Sequence, residues 1–220
     1  PLAIKALQQA VNELHRYPNG GSYHLRQRIS KHFGVDKESI VLGNGSDDII
    51  AMLTRVLLQP GDEAVLPRPS FSFYEIMIRC SGAIPVEVPL KDGRIDLDGM
   101  LACVGSGTRL VFLTNPHNPT GALIAKPALD DFVAALPADV VLVLDEAYIE
   151  FVREPNCPRC IDYLDSGKIV VGLRTFSKAY GLAGLRIGYG LMPSFLAGLL
   201  NRVRQPFNVN SLAQAAAIAA

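Results

Sequence analysis

Four short segments of this sequence carry residue types that chemistry needs, at spacings that ordinary turns do not require. Thr175-Phe176-Ser177-Lys178 closes an apolar run, and Arg186 follows eight residues after the lysine. A lysine just past a buried strand can have its pKa lowered by desolvation, which suits Schiff-base chemistry; the plainer reading is a solvated surface lysine. Hydroxyls at Thr175 and Ser177 and a guanidinium at Arg186 can together hold a dianionic phosphate. Asp145-Glu146-Ala147-Tyr148 ends a second apolar run. A carboxylate there is costly unless paired, and a cationic ligand nitrogen would pair it; the alternative is a helix N-cap.

Asn115-Pro116-His117-Asn118-Pro119-Thr120-Gly121 follows a third run. Two Asn-Pro steps and a terminal glycine force a stiff, non-helical loop in which Asn118 offers a rigid amide. Gly43-Asn44-Gly45-Ser46-Asp47 stands between a short strand and a helix. Glycines let the backbone approach a ligand, and free N–H groups at a helix N-terminus suit an anion. An ordinary turn with Ser46 as N-cap is the plainer account. Neither GxGxxG nor GxxxxGK[ST] is present, so this is not a dinucleotide or P-loop fingerprint. Stiff Asn loop, strand-end Asp with Tyr148 three residues on, then Lys178 and Arg186 are the parts needed to hold an aldehyde cofactor with a phosphate tail and a pyridine nitrogen.

Such parts must be positioned by a sheet. β-rich runs are expected over 40–42, 63–66, 84–88, 110–114, 140–145, 169–175 and 186–191. Helical periodicity covers 2–14, 23–33, 47–58, 71–81, 97–104, 127–136, 194–203 and a start at 210–220. The alternation predicts a three-layer αβα architecture with a mostly parallel sheet. Run 140–144 is apolar at every position, as helices on both faces demand. Polar and turn-forming residues gather at strand C-terminal ends, the edge where open α/β sheets bind ligands. The 220 residues are 49% hydrophobic and 19% charged, enough to build a sizeable core. Lysine plus arginine and aspartate plus glutamate are both 21, so no charge excess points to nucleic acid or an anionic membrane. The apolar runs are strand length, short of a membrane span, and four cysteines are too few for a disulfide scaffold. A cytoplasmic protein is expected.

The chain resembles the fold-type-I pyridoxal-phosphate aminotransferases. Asn-Pro-His-Asn-Pro-Thr-Gly (115–121), Asp-Glu-Ala-Tyr (145–148) and Ser-Lys-Ala-Tyr-Gly-Leu-Ala-Gly-Leu-Arg-Ile-Gly-Tyr (177–189) carry the likeness. Arg-Gln-Pro-Phe-Asn-Val-Asn (204–210), with Arg16-Tyr17-Pro18, narrows it to the histidinol-phosphate group. The resemblance implies that Lys178 binds the cofactor aldehyde covalently and shuttles the substrate proton. It implies that Asp145 pairs with the pyridine N–H, that Tyr148 and Asn118 hydrogen-bond the ring oxygen, and that Phe71 stacks on the ring. Ser46, Asp47, Thr175, Ser177 and Arg186 would form the phosphate cup. Tyr17 would reach the cofactor phosphate of a neighbouring subunit, which implies a homodimer. The reaction implied passes an amino group between glutamate/2-oxoglutarate and histidinol phosphate/imidazole-acetol phosphate. Residues 1–220 would be the large, cofactor-binding domain of a longer protein, without the family's N-terminal arm and C-terminal small domain.

Two other enzymes fit the same cofactor residues: an aromatic-amino-acid aminotransferase and a phospho-amino-acid decarboxylase. A non-catalytic cofactor-sensing domain ranks below them, since no helix-turn-helix or basic region is present. Cys157-Pro158-Arg159-Cys160 has half of a zinc spacing but no second CxxC, so two free thiols in a loop are expected and no metal is assigned. His117 reads as structural, and His15, His24 and His32 as helix-surface or packing residues. Asp130-Asp131 reads as a solvated helix face.

Overall fold

The computed structural model describes all of residues 1–220. In chain order the elements begin α1 (Leu2–Ala10), α2 (Tyr23–Phe33), β1 (Ile40–Gly43), α3 (Ser46–Leu57), β2 (Glu63–Arg68) and α4 (Ser72–Cys80). They continue β3 (Ile84–Pro89), α5 (Leu97–Ala102), β4 (Thr108–Thr114), α6 (Lys126–Ala135), β5 (Val141–Asp145) and β6 (Ile169–Thr175). The last are β7 (Gly188–Leu191), α7 (Ser194–Val203) and α8 (Ser211–Ala219). The chain divides into two compact units, Leu53–Leu173 and the pair of segments Pro1–Met52 and Arg174–Ala220.

In Leu53–Leu173 every strand pairing is parallel, in the order β3-β2-β4-β5-β6. The register sets Thr114 opposite Asp145 and Asp145 opposite Leu173, so β4 and β5 end level while β6 runs on to Thr175. Val141, Leu142, Val143 and Leu144 are all buried, which covers both faces of β5. The terminal strand β3 is partly exposed and carries Pro85 and Pro89, where a missing N–H does least harm. Beneath β6, Gly172 faces Cys160, which sits in a 3-10 turn (Cys160–Tyr163) and is fully buried.

In the other unit β1 and β7 pair antiparallel, from Ile40 opposite Leu191 to Gly43 opposite Gly188. The end of β6, Arg174 and Thr175, belongs to this unit too, and Phe176 N–H donates to Ile187 O at 3.1 Å. Helix α1 packs along α8, and α2 contacts both α8 and β1. Helix α2 stops at Gly34, whose φ of 70° is the left-handed turn that glycine adopts without cost.

The expected α/β class with a mostly parallel sheet is what the chain forms. Several boundaries differ, each for a local reason. The first helix ends at Ala10 and passes into a 3-10 turn, Val11–Glu13, rather than running to residue 14. Helix α5 stops at Ala102 because Cys103 and Val104 bond three residues back, tightening its last turn. The last strand begins at Gly188, not at 186, because Arg186 adopts a left-handed conformation with φ 57°. Helix α3 includes Ser46 as its first residue, so Ser46 is not a cap outside the helix. No helix is long and apolar enough to cross a membrane.

A Cβ at Gly172 would overlap the Sγ and Cβ of Cys160. Gly172→Ala should therefore lower unfolding stability by about 1–3 kcal/mol, read from urea denaturation, and Gly172→Ala with Cys160→Ala should recover part of it. An unchanged midpoint in Gly172→Ala would show that this contact is not tight.

Candidate active site

The anion-binding candidates lie together in the unit formed by Pro1–Met52 and Arg174–Ala220. Strand β1 ends at Gly43, where an added Cβ would sit 2.6 Å from Gly45 O, so only glycine fits this reversal. Gly45, with φ 84°, turns the chain into α3. Helix α3 opens with Ser46, Asp47 and Asp48, and its first amides carry the positive end of the helix dipole. Arg186 lies across this turn. Its Nη2 contacts Asp47 Oδ2 at 3.2 Å, and its Nη1 lies 3.5 Å from Ser177 Oγ and donates to Ala183 O at 3.1 Å. A Cβ at Gly45 would meet Arg186 Nη2 at 2.6 Å, so glycine is also what admits the guanidinium. Thr175 Oγ1 accepts from Ser177 N–H at 3.1 Å, closing a turn just past β6.

Asp47 and Ser177 both lie against Arg186, Thr175 bonds to Ser177, and Ser46 precedes Asp47 at the start of α3. The Asp47 carboxylate would repel a phosphate; it is paired with Arg186, leaving the backbone amide as its contribution to an anion. Lys178 follows Ser177 and is exposed in this chain. The reason is the turn itself: β6 ends at Thr175, and Gly181 N–H donates back to Lys178 O at 3.0 Å. Tyr17 is 83% exposed, its ring stacked on Phe207 at 4.7 Å between centroids.

The other candidates lie in Leu53–Leu173. Asp145, at the end of β5, is 4% exposed. Its Oδ1 accepts from Ala147 N–H at 3.0 Å, and its Oδ2 from the Tyr74 hydroxyl at 2.5 Å. The helix-cap reading fails, since only a 3-10 turn (Ile149–Phe151) follows. Tyr74 on α4 is fully buried, stacks on Phe112 at 4.6 Å, and its hydroxyl also lies 3.2 Å from Thr114 Oγ1. The apolar pattern of α4 does not by itself mark Tyr74 as a site residue. Its signal was the need of Asp145 for a partner and a tyrosine one helical turn after Phe71, whose ring meets it edge-on at 5.5 Å. Beside Phe71, Ser70 Oγ is buried without a hydrogen-bond partner.

The 115–121 loop is built as stiffly as expected. Asn115 is fully buried and its Oδ1 accepts from Ile124 N–H at 3.0 Å. His117 bonds to Thr120 Oγ1 at 2.9 Å and to Pro69 O at 3.1 Å, which ties the Asn118 loop to the Phe71 turn. The loop and the residues after Tyr148 line a cavity of about 750 Å³, with Asn118, Tyr148, Phe151 and Arg153 in its wall. Cys157 Sγ lies 3.5 Å from Asn115 Nδ2, and burial pushes its thiol pKa up. Cys160 is a core residue in a 3-10 turn rather than a loop thiol.

The fold is the α/β fold of the fold-type-I pyridoxal-phosphate enzymes. The chain belongs to the aminotransferase class I and II family, whose sequence profile matches residues 1–220. It is 48% identical, over its whole length, to histidinol-phosphate aminotransferase 2 of Carboxydothermus hydrogenoformans, and spans 61% of that protein. It is 45% identical to histidinol-phosphate aminotransferase of Moorella thermoacetica, spanning 57% of it. Among solved structures, histidinol-phosphate aminotransferase from Sinorhizobium meliloti in complex with pyridoxal-5'-phosphate superposes with a TM-score of 0.94 at 34% identity. That match covers all of this chain and 60% of the other. The chain therefore spans about three fifths of the length of these relatives.

Burial holds the His117 pKa below its ordinary 6.5, against the opposing hydrogen bond to Pro69. The unfolded chain then binds the proton more readily, so this residue's contribution is full above about pH 6.5 and is lost as pH falls through the depressed value. The unfolding midpoint of the parent should fall on acidification in this range more steeply than that of His117→Gln. Equal slopes would remove His117 from the account.

Proposed function

We propose that this chain holds pyridoxal phosphate and serves amino transfer between glutamate/2-oxoglutarate and histidinol phosphate/imidazole-acetol phosphate. The observation that carries it is the cluster of Arg186, Ser177 and the first turn of α3 with Lys178 directly beside it. The donor set fits the cofactor. A guanidinium, three hydroxyls and helix-start amides suit a dianionic phosphate, and a desolvated carboxylate suits a protonated ring nitrogen. Names of relatives that are 45–48% identical support the substrate.

Bound pyridoxal phosphate would supply an aldehyde that takes up an amino group and a ring that draws electron density from the adjacent carbon. The protein supplies the rest. Ser46, Thr175, Ser177, Arg186 and the Asp47 amide would hold the phosphate. Asp145 would pair with the ring N–H and favour its protonated form, its own oxygens being fixed by Tyr74 and the Ala147 amide. Asn118 and Tyr148 would hydrogen-bond the ring oxygen, and Phe71 would cover the ring face. Lys178 would hold the aldehyde, and its amine, once displaced by that of the substrate, would serve as the base for the substrate Cα proton. We assign residues 1–220 to the large, cofactor-binding domain of a cytoplasmic homodimer in which Tyr17 serves the neighbouring subunit.

Mixing the purified chain with pyridoxal phosphate should give a visible absorption band that borohydride traps on the Lys178 peptide and that Lys178→Ala lacks. A band of equal strength in Lys178→Ala would defeat the assignment. With a full-length protein, histidinol phosphate should be the amino compound that reacts, and preferential turnover of phenylalanine would shift the substrate reading. Asp145→Ala should keep the cofactor but slow Cα proton abstraction by more than about tenfold, roughly 1.4 kcal/mol.

A further inference from the structure

The 204–210 segment between α7 and α8 narrows the family resemblance, yet no chemical task has been given to it. Its side chains converge on the anion cup from behind. Asn208 Nδ2 donates to Leu42 O at 3.0 Å and to Asp48 Oδ2 at 2.7 Å. The same Asp48 oxygen accepts from Asn44 N–H at 3.0 Å. Asn208 Oδ1 accepts from Arg204 Nη1 at 2.9 Å, so the amide is satisfied at both ends and held in one orientation. One side chain thereby fixes the end of β1, the glycine turn and the first turn of α3.

Two residues on, Asn210 holds the opposite wall. Its Nδ2 donates to Leu185 O at 3.1 Å, on the residue that precedes Arg186. Its Oδ1 accepts from Ala213 N–H at 2.7 Å, so it also caps α8. Between them Val209 is buried and its carbonyl accepts from Gln214 Nε2 at 2.9 Å, which anchors the segment itself. Just before them, Phe207 has a φ of 58° and carries the stack with Tyr17.

We infer that Asn208 and Asn210 are positioning residues for anion capture: they brace the glycine turn and the Arg186 turn so that phosphate meets donors already in place. Donors that must be ordered on binding forfeit part of their energy, so bracing shows as affinity for the phosphate group and nothing else. Asn208 is half-buried and bonds to a carboxylate, so it matters more; the Asn210 bond is exposed. The inference rests on the cofactor reading above.

Equilibrium titration with pyridoxal phosphate and with pyridoxal, which lacks the phosphate, tests it. Asn208→Leu should weaken binding of the phosphorylated ligand by about tenfold and that of pyridoxal by less than about twofold. Asn210→Ser keeps a neutral cap on α8 and loses the donor to Leu185, and should cost about threefold on the phosphorylated ligand alone. Equal losses on both ligands, or none in either variant, would overturn the brace. A parent chain that binds both ligands equally would instead defeat the phosphate cup, and the brace with it.

Discussion

A carboxylate buried at the end of a fully covered strand is the constraint on which the Leu53–Leu173 unit turns. Asp145 sits where β4 and β5 end level beside β6, and an ionised group there must find partners or change protonation state. Tyr74 answers from α4, and that answer sets the helix: its ring lies flat on Phe112 of β4 so that its hydroxyl reaches Asp145 Oδ2. Neighbouring groups follow the same logic. Glu146 is fully buried and its Oε1 accepts from Cys160 N–H at 2.5 Å, and Asn115 N–H donates to Asp145 O at 2.9 Å. The strand ends are thus polar and rigid together, and rigidity there is what a site for a reactive group needs.

The other unit solves a crowding problem. Gly188 of β7 lies so close to the start of α3 that a Cβ would meet Ser46 N at 2.5 Å, Gly45 C at 2.8 Å and Arg174 O at 2.9 Å. Three glycines, at 43, 45 and 188, allow a helix N-terminus, a strand and a guanidinium to share one small volume. The helix dipole and the guanidinium both favour an anion, and the Asp47 carboxylate keeps their combined positive charge from standing uncompensated.

Much of this was legible in the sequence. Asp145 and Lys178 stand where apolar runs stop, and an apolar run that stops at a charged residue announces both a strand and a cost. What escaped notice depended on tertiary approach. Tyr74 looked like one more apolar helix residue, because the pattern of α4 records that it is inward and not what its hydroxyl meets. Arg186 was assigned to a strand because its neighbours are β-rich, while its left-handed backbone is imposed by the turn before it. Lys178 reads either as a desolvated lysine or as a surface one, and its place one turn beyond β6 leaves it exposed in this chain. Asn208 and Asn210 belong to the 204–210 motif, but the sequence does not show what they hold: Leu42 and Asp48 lie more than a hundred residues from Asn208, and Asn210 meets a turn backbone at Leu185.

Arg186 shows how the pieces depend on one another. A non-glycine residue in the left-handed region carries a backbone cost of order 1–2 kcal/mol, and it persists only where the surroundings over-determine it. Here the surroundings do. Its guanidinium contacts Asp47 and Ala183 O and faces Ser177, its predecessor is held by Asn210, and Gly45 leaves room for it. An extended backbone at 186 would carry the side chain along β7 and away from α3. The strain is therefore the means by which a residue that reads as the first of a strand is turned back toward the start of α3.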